Sequence, residues 1–377
     1  MPHHLIDTQK EIDDTCSRLA GETVIGVDTE FLRVRTYYPK LALVQISSED
    51  AIYCVDPLVK GVELAALWSL LADPGVLKVM HAARQDVEVL LHTAGVMPQP
   101  LFDTQIAAAL VGYGDQVGYA GLVEAEFGVS LPKSSQRTDW TRRPLSEAQL
   151  GYAGNDVRYL LPLCKRLTAG LKDRGRYEWA LEDFERDLDP ALYEPDPEQA
   201  YKRVGRGTHL DAGAQHALKR LCTWRENAAR SRNLPRSWVL DDVAAAAIAA
   251  GRPRSVRELE RIEEVRSDTV RRDGEAIVAC LQAPGDDGGP LWSRHEPLTP
   301  EQKSTKSALI EILKARAGEL GIAQSVLVTR ADLDKLVRGM PVRELVTGWR
   351  REVVGPDLQR VLDDRMRQPS SANAGVF

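Results

Sequence analysis

The sequence predicts an α/β domain built on a mixed sheet, followed by two smaller all-helical units. Three observations lead there. Short apolar, β-branched runs alternate with helically spaced apolar residues through residues 1–190. The strand signal disappears after Asp211. Pro-, Gly- and Asp-rich stretches at 187–197 and 282–290 then break the remaining chain. A chain of 377 residues is also too long for one ordinary core.

Thr23 to Asp28 reads as a buried strand, Leu41 to Ser47 as a second and Ile52 to Val55 as a third, with Ser48-Glu49-Asp50 as the turn between the last two. Val62 to Leu71 carries helical spacing at Leu64, Leu67, Leu70 and Leu71, and Asp73-Pro74-Gly75 stops it. Val76 to Met80 is a further strand, Arg84 to Ala94 a helix ended by Gly95, and Leu101 to Thr104 a short extended piece. Asp103 or Thr104 is placed to cap the helix Gln105 to Val111. Ser146 caps a long helix, Glu147 to Leu171, with a kink expected at Pro162. Strands early and helices late place an α/β domain at 1–190 and a linker at 191–210. Helical units follow at 211–285 and 296–370. In the first, Ala214 to Arg230 is amphipathic, Ala244 to Ala250 reads as helix core and Ser255 opens a helix to Ile262. In the second, helices are expected from Glu301 to a break near Gly321, at Arg330 to Val337, at Val342 to Val346 and from near Gly355.

Composition is that of a soluble globular protein, 43% hydrophobic and 28% charged. Five dispersed cysteines without a CxxC pair argue against a disulfide framework and against structural zinc. The first twenty residues are charged and lack the apolar stretch of a signal peptide. No apolar run approaches the ~20 residues of a membrane span. A reducing, cytoplasmic location is the expectation. Net charge is −6, unevenly spread: residues 1–200 carry 19 Lys/Arg against 31 Asp/Glu, and residues 201–377 carry 30 against 24. The C-terminal part is thus free to touch nucleic acid, although surface charge drift yields such a split too.

Candidate chemistry lies in four acids and a tyrosine. Asp28 and Glu30 share one face at the end of an apolar strand, where open α/β sheets place ligands. Asp86 lies in the first turns of the helix after the next strand, and His81 sits at that strand's end. Tyr152 and Asp156 are spaced i, i+4 on one helical face. Taken singly, each also fits a solvated acid, a packed aromatic or a hydrogen-bonded histidine. Taken together, clustered carboxylates suit two hard divalent cations, Mg²⁺ or Mn²⁺ rather than zinc, which is equipment for phosphodiester cleavage.

At these residues the sequence resembles the ribonuclease D family of DEDD 3′→5′ exonucleases, in the branch marked by a tyrosine. Val27-Asp28-Thr29-Glu30-Phe31, His81-Ala82 with Asp86, and Tyr152 with Asp156 resemble its three exonuclease motifs. Arg35-Thr36-Tyr37-Tyr38-Pro39, Leu43-Val44-Gln45-Ile46 and the segment from Lys133 to Ser146 are also similar to the family. Trp224-Arg225, Asn233-Leu234-Pro235 and Val239-Leu240 resemble an HRDC domain; a second HRDC unit around 299–368 rests on helix pattern and position. The resemblance implies a ribonuclease H-like exonuclease domain followed by two HRDC-type domains. It implies that Asp28, Glu30 and Asp156 bind the nucleophile-side cation and that Asp28 and Asp86 bind the leaving-group-side cation. Tyr152 would orient the attacking water. Nucleoside 5′-monophosphates would leave the 3′ ends of structured RNA such as tRNA precursors.

Lys133, Arg137, Trp140, Arg142 and Arg143 form a basic loop with one aromatic, suited to single-stranded RNA or to packing around a core Trp. Phe31 and Tyr38 suit base stacking or core packing alike. Asp103 reads as a cap or supporting residue rather than a ligand. Two other readings compete: a 3′→5′ exonuclease on single-stranded DNA, and a non-catalytic nucleic-acid-binding adaptor. The protein is expected to be a monomer without a membrane partner. A dinucleotide-binding reading fails, because no G-x-G-x-x-G follows a strand.

Overall fold

A computed structural model describes residues 3–132, 138–284, 288–292 and 297–367. The described chain forms two compact units. Of the described residues, those within 3–30, 41–188 and 298–367 make up the first; those within 31–40 and 189–297 make up the second.

The first unit holds strands β1 (His3–Ile6), β2 (Val24–Leu32), β3 (Lys40–Ser47), β4 (Ile52–Val55), β5 (Leu77–Met80) and β6 (Leu101–Asp103). They form one mixed sheet in the order β1-β4-β3-β2-β5-β6. β4 runs parallel to β1 and antiparallel to β3, while β5 runs parallel to β2 and β6. Its helices are α1 (Gln9–Leu19), α2 (Ala65–Ala72), α3 (Arg84–Ala94), α4 (Thr104–Val111), α5 (Tyr119–Phe127), α6 (Glu147–Arg158), α7 (Leu160–Asp173) and α8 (Tyr177–Asp187). Central strands carry almost continuous apolar runs because both faces are covered.

The expected long helix from Glu147 breaks at Tyr159 instead of kinking at Pro162. A proline ring meets the carbonyl four residues earlier, here that of Arg158, so the ladder fails one turn upstream. Tyr119 pins the break: its hydroxyl donates to the Asn155 carbonyl and accepts the Tyr159 N–H. Strand β1 and helices α1, α5 and α8 lie outside the sequence-based expectations; each is short, and much of α1 is exposed.

Two side chains fix the junctions around β5. Asp103 caps α4 by accepting the Gln105 and Ile106 N–H groups, as expected. The same carboxylate accepts the N–H groups of Ala82 and Ala83. It thereby holds Ala82 at φ 54°, a left-handed conformation unusual for a residue with a Cβ. His81 is half-buried, with Nδ1 on the Thr104 hydroxyl at 2.8 Å and Nε2 on the Val117 carbonyl at 3.1 Å. The Val117 carbonyl can only accept, so Nε2 carries a ring proton, while the Thr104 hydroxyl stands between Nδ1 and the Met80 carbonyl at 3.0 Å.

Residues 298–367 share the hydrophobic core of this unit: Leu309, Leu313, Leu333, Trp349 and Leu358 belong to the cluster that contains Phe102, Leu163 and Phe184. Trp349 stacks on Trp179 at 4.4 Å. Arg350 donates two hydrogen bonds to buried Asp183. The Arg176 guanidinium joins two helix ends by donating to the carbonyls of Leu110 and Leu320. The last helix, Gly348–Arg367, begins ahead of the expected start near Gly355 and keeps Pro356 inside it.

In the second unit, helices Ala212–Arg232, Arg236–Val239, Asp242–Gly251, Val256–Leu259 and Ser267–Gln282 enclose their own core. The expected linker is ordered. Its 3₁₀ turns at Pro197–Arg203 and Gly205–His209 place Ala200, Tyr201 and Val204 in that core. Residues 33–38 are tied to the same helices. Tyr37 donates to Glu226 and accepts from Arg230 and Arg236, and Asn233 Oδ1 accepts the N–H groups of Tyr37 and Tyr38.

The C-terminal helices repeat this pattern of lengths. Helices of 21, 4, 10, 4 and 16 residues in the second unit match helices of 21, 4, 8, 4 and 20 residues at 300–367. The fourth member reads Val-Arg-Glu-Leu in both sets. All five cysteines are free, and no helix among the described residues is long and apolar enough to cross a membrane.

Two outcomes follow for stability. Asp183→Ala strands Arg350 in a largely buried position and is expected to cost about 3–5 kcal/mol in denaturant unfolding. Signals from the sheet and from Trp349 should be lost in one transition; two separated transitions would contradict a shared core. Burial holds the His81 imidazole down at about 4, against an ordinary 6.5. Between those values the unfolded chain takes up a proton that the folded chain refuses, so this group's contribution falls as pH drops from 6.5 toward 4. Urea titrations at both ends of that window should show wild type losing roughly 2–3 kcal/mol more than His81→Phe.

Candidate active site

The acids meet at the C-terminal end of β2. Asp28 and Glu30 alternate with buried Thr29, so both project toward α6. Ser146 and Gln149 form a capping box that sets the start of α6, and Asp156 comes in its last turn. One carboxylate oxygen from each of Asp28, Glu30 and Asp156 lies within 4.8 Å of the others. Asp86, in the first turn of α3, accepts a hydrogen bond from the Thr29 hydroxyl on β2. Its electrostatic neighbour is Asp28. Tyr152, one turn before Asp156, hydrogen-bonds the Asp156 carboxylate.

Burial and mutual repulsion keep these groups from ionising together. Desolvation, then the charge of Asp156, pushes Asp28 up to about 8. Desolvation, then Asp28, Asp156 and Asp86, pushes Glu30 up to about 9. Asp156 is raised by burial to about 7, offset by its bond from Tyr152. Asp86 is raised well above the usual range by burial and by Asp28, against the Thr29 hydroxyl. The Tyr152 phenol is also raised, first by desolvation and then by Asp156. Such a cluster binds protons or cations, and an all-oxygen donor set fits hard divalent ions. A cavity of about 410 Å³ opens beside Tyr152 and Asp156, lined also by Gly118, Tyr119, Gly121 and Leu131.

The sequence-expected supporting residues separate into groups. His81 has both ring nitrogens engaged and is no ligand here. Asp103 acts on the backbone that leads into Asp86. Trp140 is 2% exposed and packs against Tyr152 at 6.1 Å, so it offers no face to a base. The Arg143 guanidinium is spent on Asp56 and on the carbonyls of Ala42, Trp140 and Arg142. These two were expected to touch RNA; packing and ion pairing claim them instead. Arg142 is exposed and Phe31 half-buried, whereas Lys133 and Arg137 lie outside the described residues. Sequence reasoning missed Tyr119, which carried no motif of its own.

Comparison with known proteins identifies the family. Residues 3–172 match the family described as 3′-5′ exonuclease, and residues 214–281 match the HRDC domain. Ribonuclease D of Gluconacetobacter diazotrophicus is 38% identical over 368 residues, covering 96% of this chain and 93% of that protein. Ribonuclease D of Sphingobium indicum is 35% identical over 373 residues, covering 97% and 95%. The crystal structure of Escherichia coli RNase D, described as an exoribonuclease involved in structured RNA processing, superposes with a TM-score of 0.84 at 30% identity, covering 97% of this chain and 99% of that one. Near-complete coverage at these identities makes this chain a member of the ribonuclease D family.

Proposed function

We propose that this 3′-5′ exoribonuclease removes nucleoside 5′-monophosphates one at a time from the 3′ ends of structured RNA, such as tRNA precursors, using two divalent cations. The observation that carries the reading is the gathering of Asp28, Glu30 and Asp156 within 4.8 Å, with Asp86 beside them. Asp28, Glu30 and Asp156 would hold one ion; Asp28 and Asp86 would hold the other, with Asp28 common to both. When bound, the ions supply a lowered pKa for the attacking water and neutralise charge on the leaving 3′ oxygen. Tyr152 would hold that water through its hydroxyl, which its raised pKa keeps neutral. Mg²⁺ and Mn²⁺ both suit four carboxylates, since such oxygen donors select hard ions over zinc.

The cavity beside Tyr152 is of a size to receive a terminal nucleotide. Arg142 and Phe31, with Lys133 and Arg137, remain the proposed contacts to RNA. The HRDC domain would add grip on structured substrates. The repeated helix lengths and the shared Val-Arg-Glu-Leu support a second HRDC-type fold at 296–370. We therefore keep 1–190 as the exonuclease domain, 191–210 as the connection and 211–285 as the first HRDC-type domain. A cytoplasmic monomer is the proposed working form.

Digestion of matched 5′-labelled RNA and DNA oligonucleotides tests this directly. With Mg²⁺ or Mn²⁺ the RNA should shorten from its 3′ end in single-nucleotide steps, and a chelator should stop it. Internal cuts, or undiminished turnover in chelator, would overturn the assignment. Asp28→Asn and Asp156→Asn should each lower kcat by about a thousand-fold or more. Each should also unfold at an equal or higher temperature without metal, because one source of like-charge repulsion is gone. A comparable kcat in either variant would remove that residue from the metal site.

A further inference from the structure

Gln45 is a polar side chain wholly enclosed by protein, and neither Oε1 nor Nε2 has a hydrogen-bond partner. A buried amide left unpaired opposes folding, so such a residue calls for a partner that forms in another state of the site. Its position in the sheet says where that partner lies.

β2 and β3 are neighbours joined only by residues 33–39, a connection too short for a parallel crossover, so they run antiparallel. A Cβ on Gly26 would lie 2.3 Å from Ser47 Oγ, which puts these two residues opposite each other. Two residues further along β2, and two back along β3, Asp28 stands opposite Gln45 with its side chain on the same face. Gln45 pairs with Cys54 on the far side, and α6 covers this face: Cys54 packs with Leu150 and Ala153, and Ser47 donates to the Val157 carbonyl. The amide is therefore enclosed beneath the helix that carries Tyr152 and Asp156, across from the carboxylate common to both proposed ions.

We infer that Gln45 is a positioning residue whose Nε2 donates to the ionised Asp28 carboxylate in the cation-loaded site. This rests on the two-cation reading above. An amide donor facing Asp28 would fix that carboxylate without adding a competing charge. The unpaired amide then belongs to a site built for its loaded state.

The test compares wild type with Gln45→Met, which keeps length and removes both polar atoms, and with Gln45→Leu, which is shorter and likewise has no donor. Thermal unfolding of the metal-free protein, Mn²⁺ affinity by calorimetry and steady-state RNA digestion are measured on the full chain. Gln45→Met should unfold at the wild-type temperature or above it. It should bind Mn²⁺ at least ten-fold more weakly, with kcat reduced at least ten-fold and KM for RNA within two-fold. Gln45→Leu, which also lacks a donor, should bind Mn²⁺ more weakly than wild type. Wild-type Mn²⁺ affinity in either folded variant overturns the inference; if Gln45→Met does not fold, Gln45→Leu decides. Failure of the underlying reading is distinguishable, because wild type itself would then show no Mn²⁺ binding.

Discussion

Like charges crowded into a buried place set the terms for the rest of this fold. Asp28, Glu30, Asp86 and Asp156 come from a strand, a helix start and a helix end, and each is raised by burial. Left to themselves such groups would turn outward to water. They stay because the elements that bear them are fixed elsewhere by strong local devices. β2 is central in the sheet, with Gly26 letting Leu160 and Leu161 approach closely. Asp103 binds four backbone N–H groups at the entrance to α3 and α4. Tyr119 bridges the break between α6 and α7 immediately after Asp156. The free energy gained by packing and capping holds the acids against their repulsion, and a cation converts that stored opposition into binding.

A second theme is division of labour among cations of the protein itself. The basic residues that look available in the sequence are largely committed. Arg143 locks Asp56, Arg176 joins two helix ends, Arg350 locks Asp183, and Arg230 with Arg236 surrounds Tyr37 and Glu226. A count of Lys and Arg therefore overstates the positive surface offered to RNA. Planar, multidentate guanidinium groups suit such structural duty better than lysine would.

Much of this was legible in the chain. The helices at Arg84–Ala94 and Arg330–Val337 have their expected bounds, because Gly95 ends the first with a left-handed cap and Thr329 opens the second. The acids were legible as chemistry because strand and helix periods aim them before any tertiary structure is known. What stayed hidden depends on long-range packing. Trp140 and Arg143 look like an RNA-facing loop until Ala42 and Asp56, far away in sequence, claim them. The break at Tyr159 was misplaced at Pro162 because a proline acts on the turn before it. Short edge elements such as His3–Ile6 owe their form to a neighbour, here β4, more than to their own residues.

The shared core of residues 41–188 and 298–367 bears on the order of events during synthesis. A ribosome that has released the sheet, α3 and α6 has supplied every acid of the site, yet Phe102 and Phe184 still lack the apolar partners that arrive with Leu309, Leu333 and Trp349. An intact HRDC domain can fold in the interval, since its helices enclose a core of their own. The nuclease would then be the last part of the molecule to become whole, although its sequence is the first to be read, and a chain cut short before Gly348 would carry the acids but lack Trp349, Val354 and Leu358 in the core beside Phe102 and Phe184.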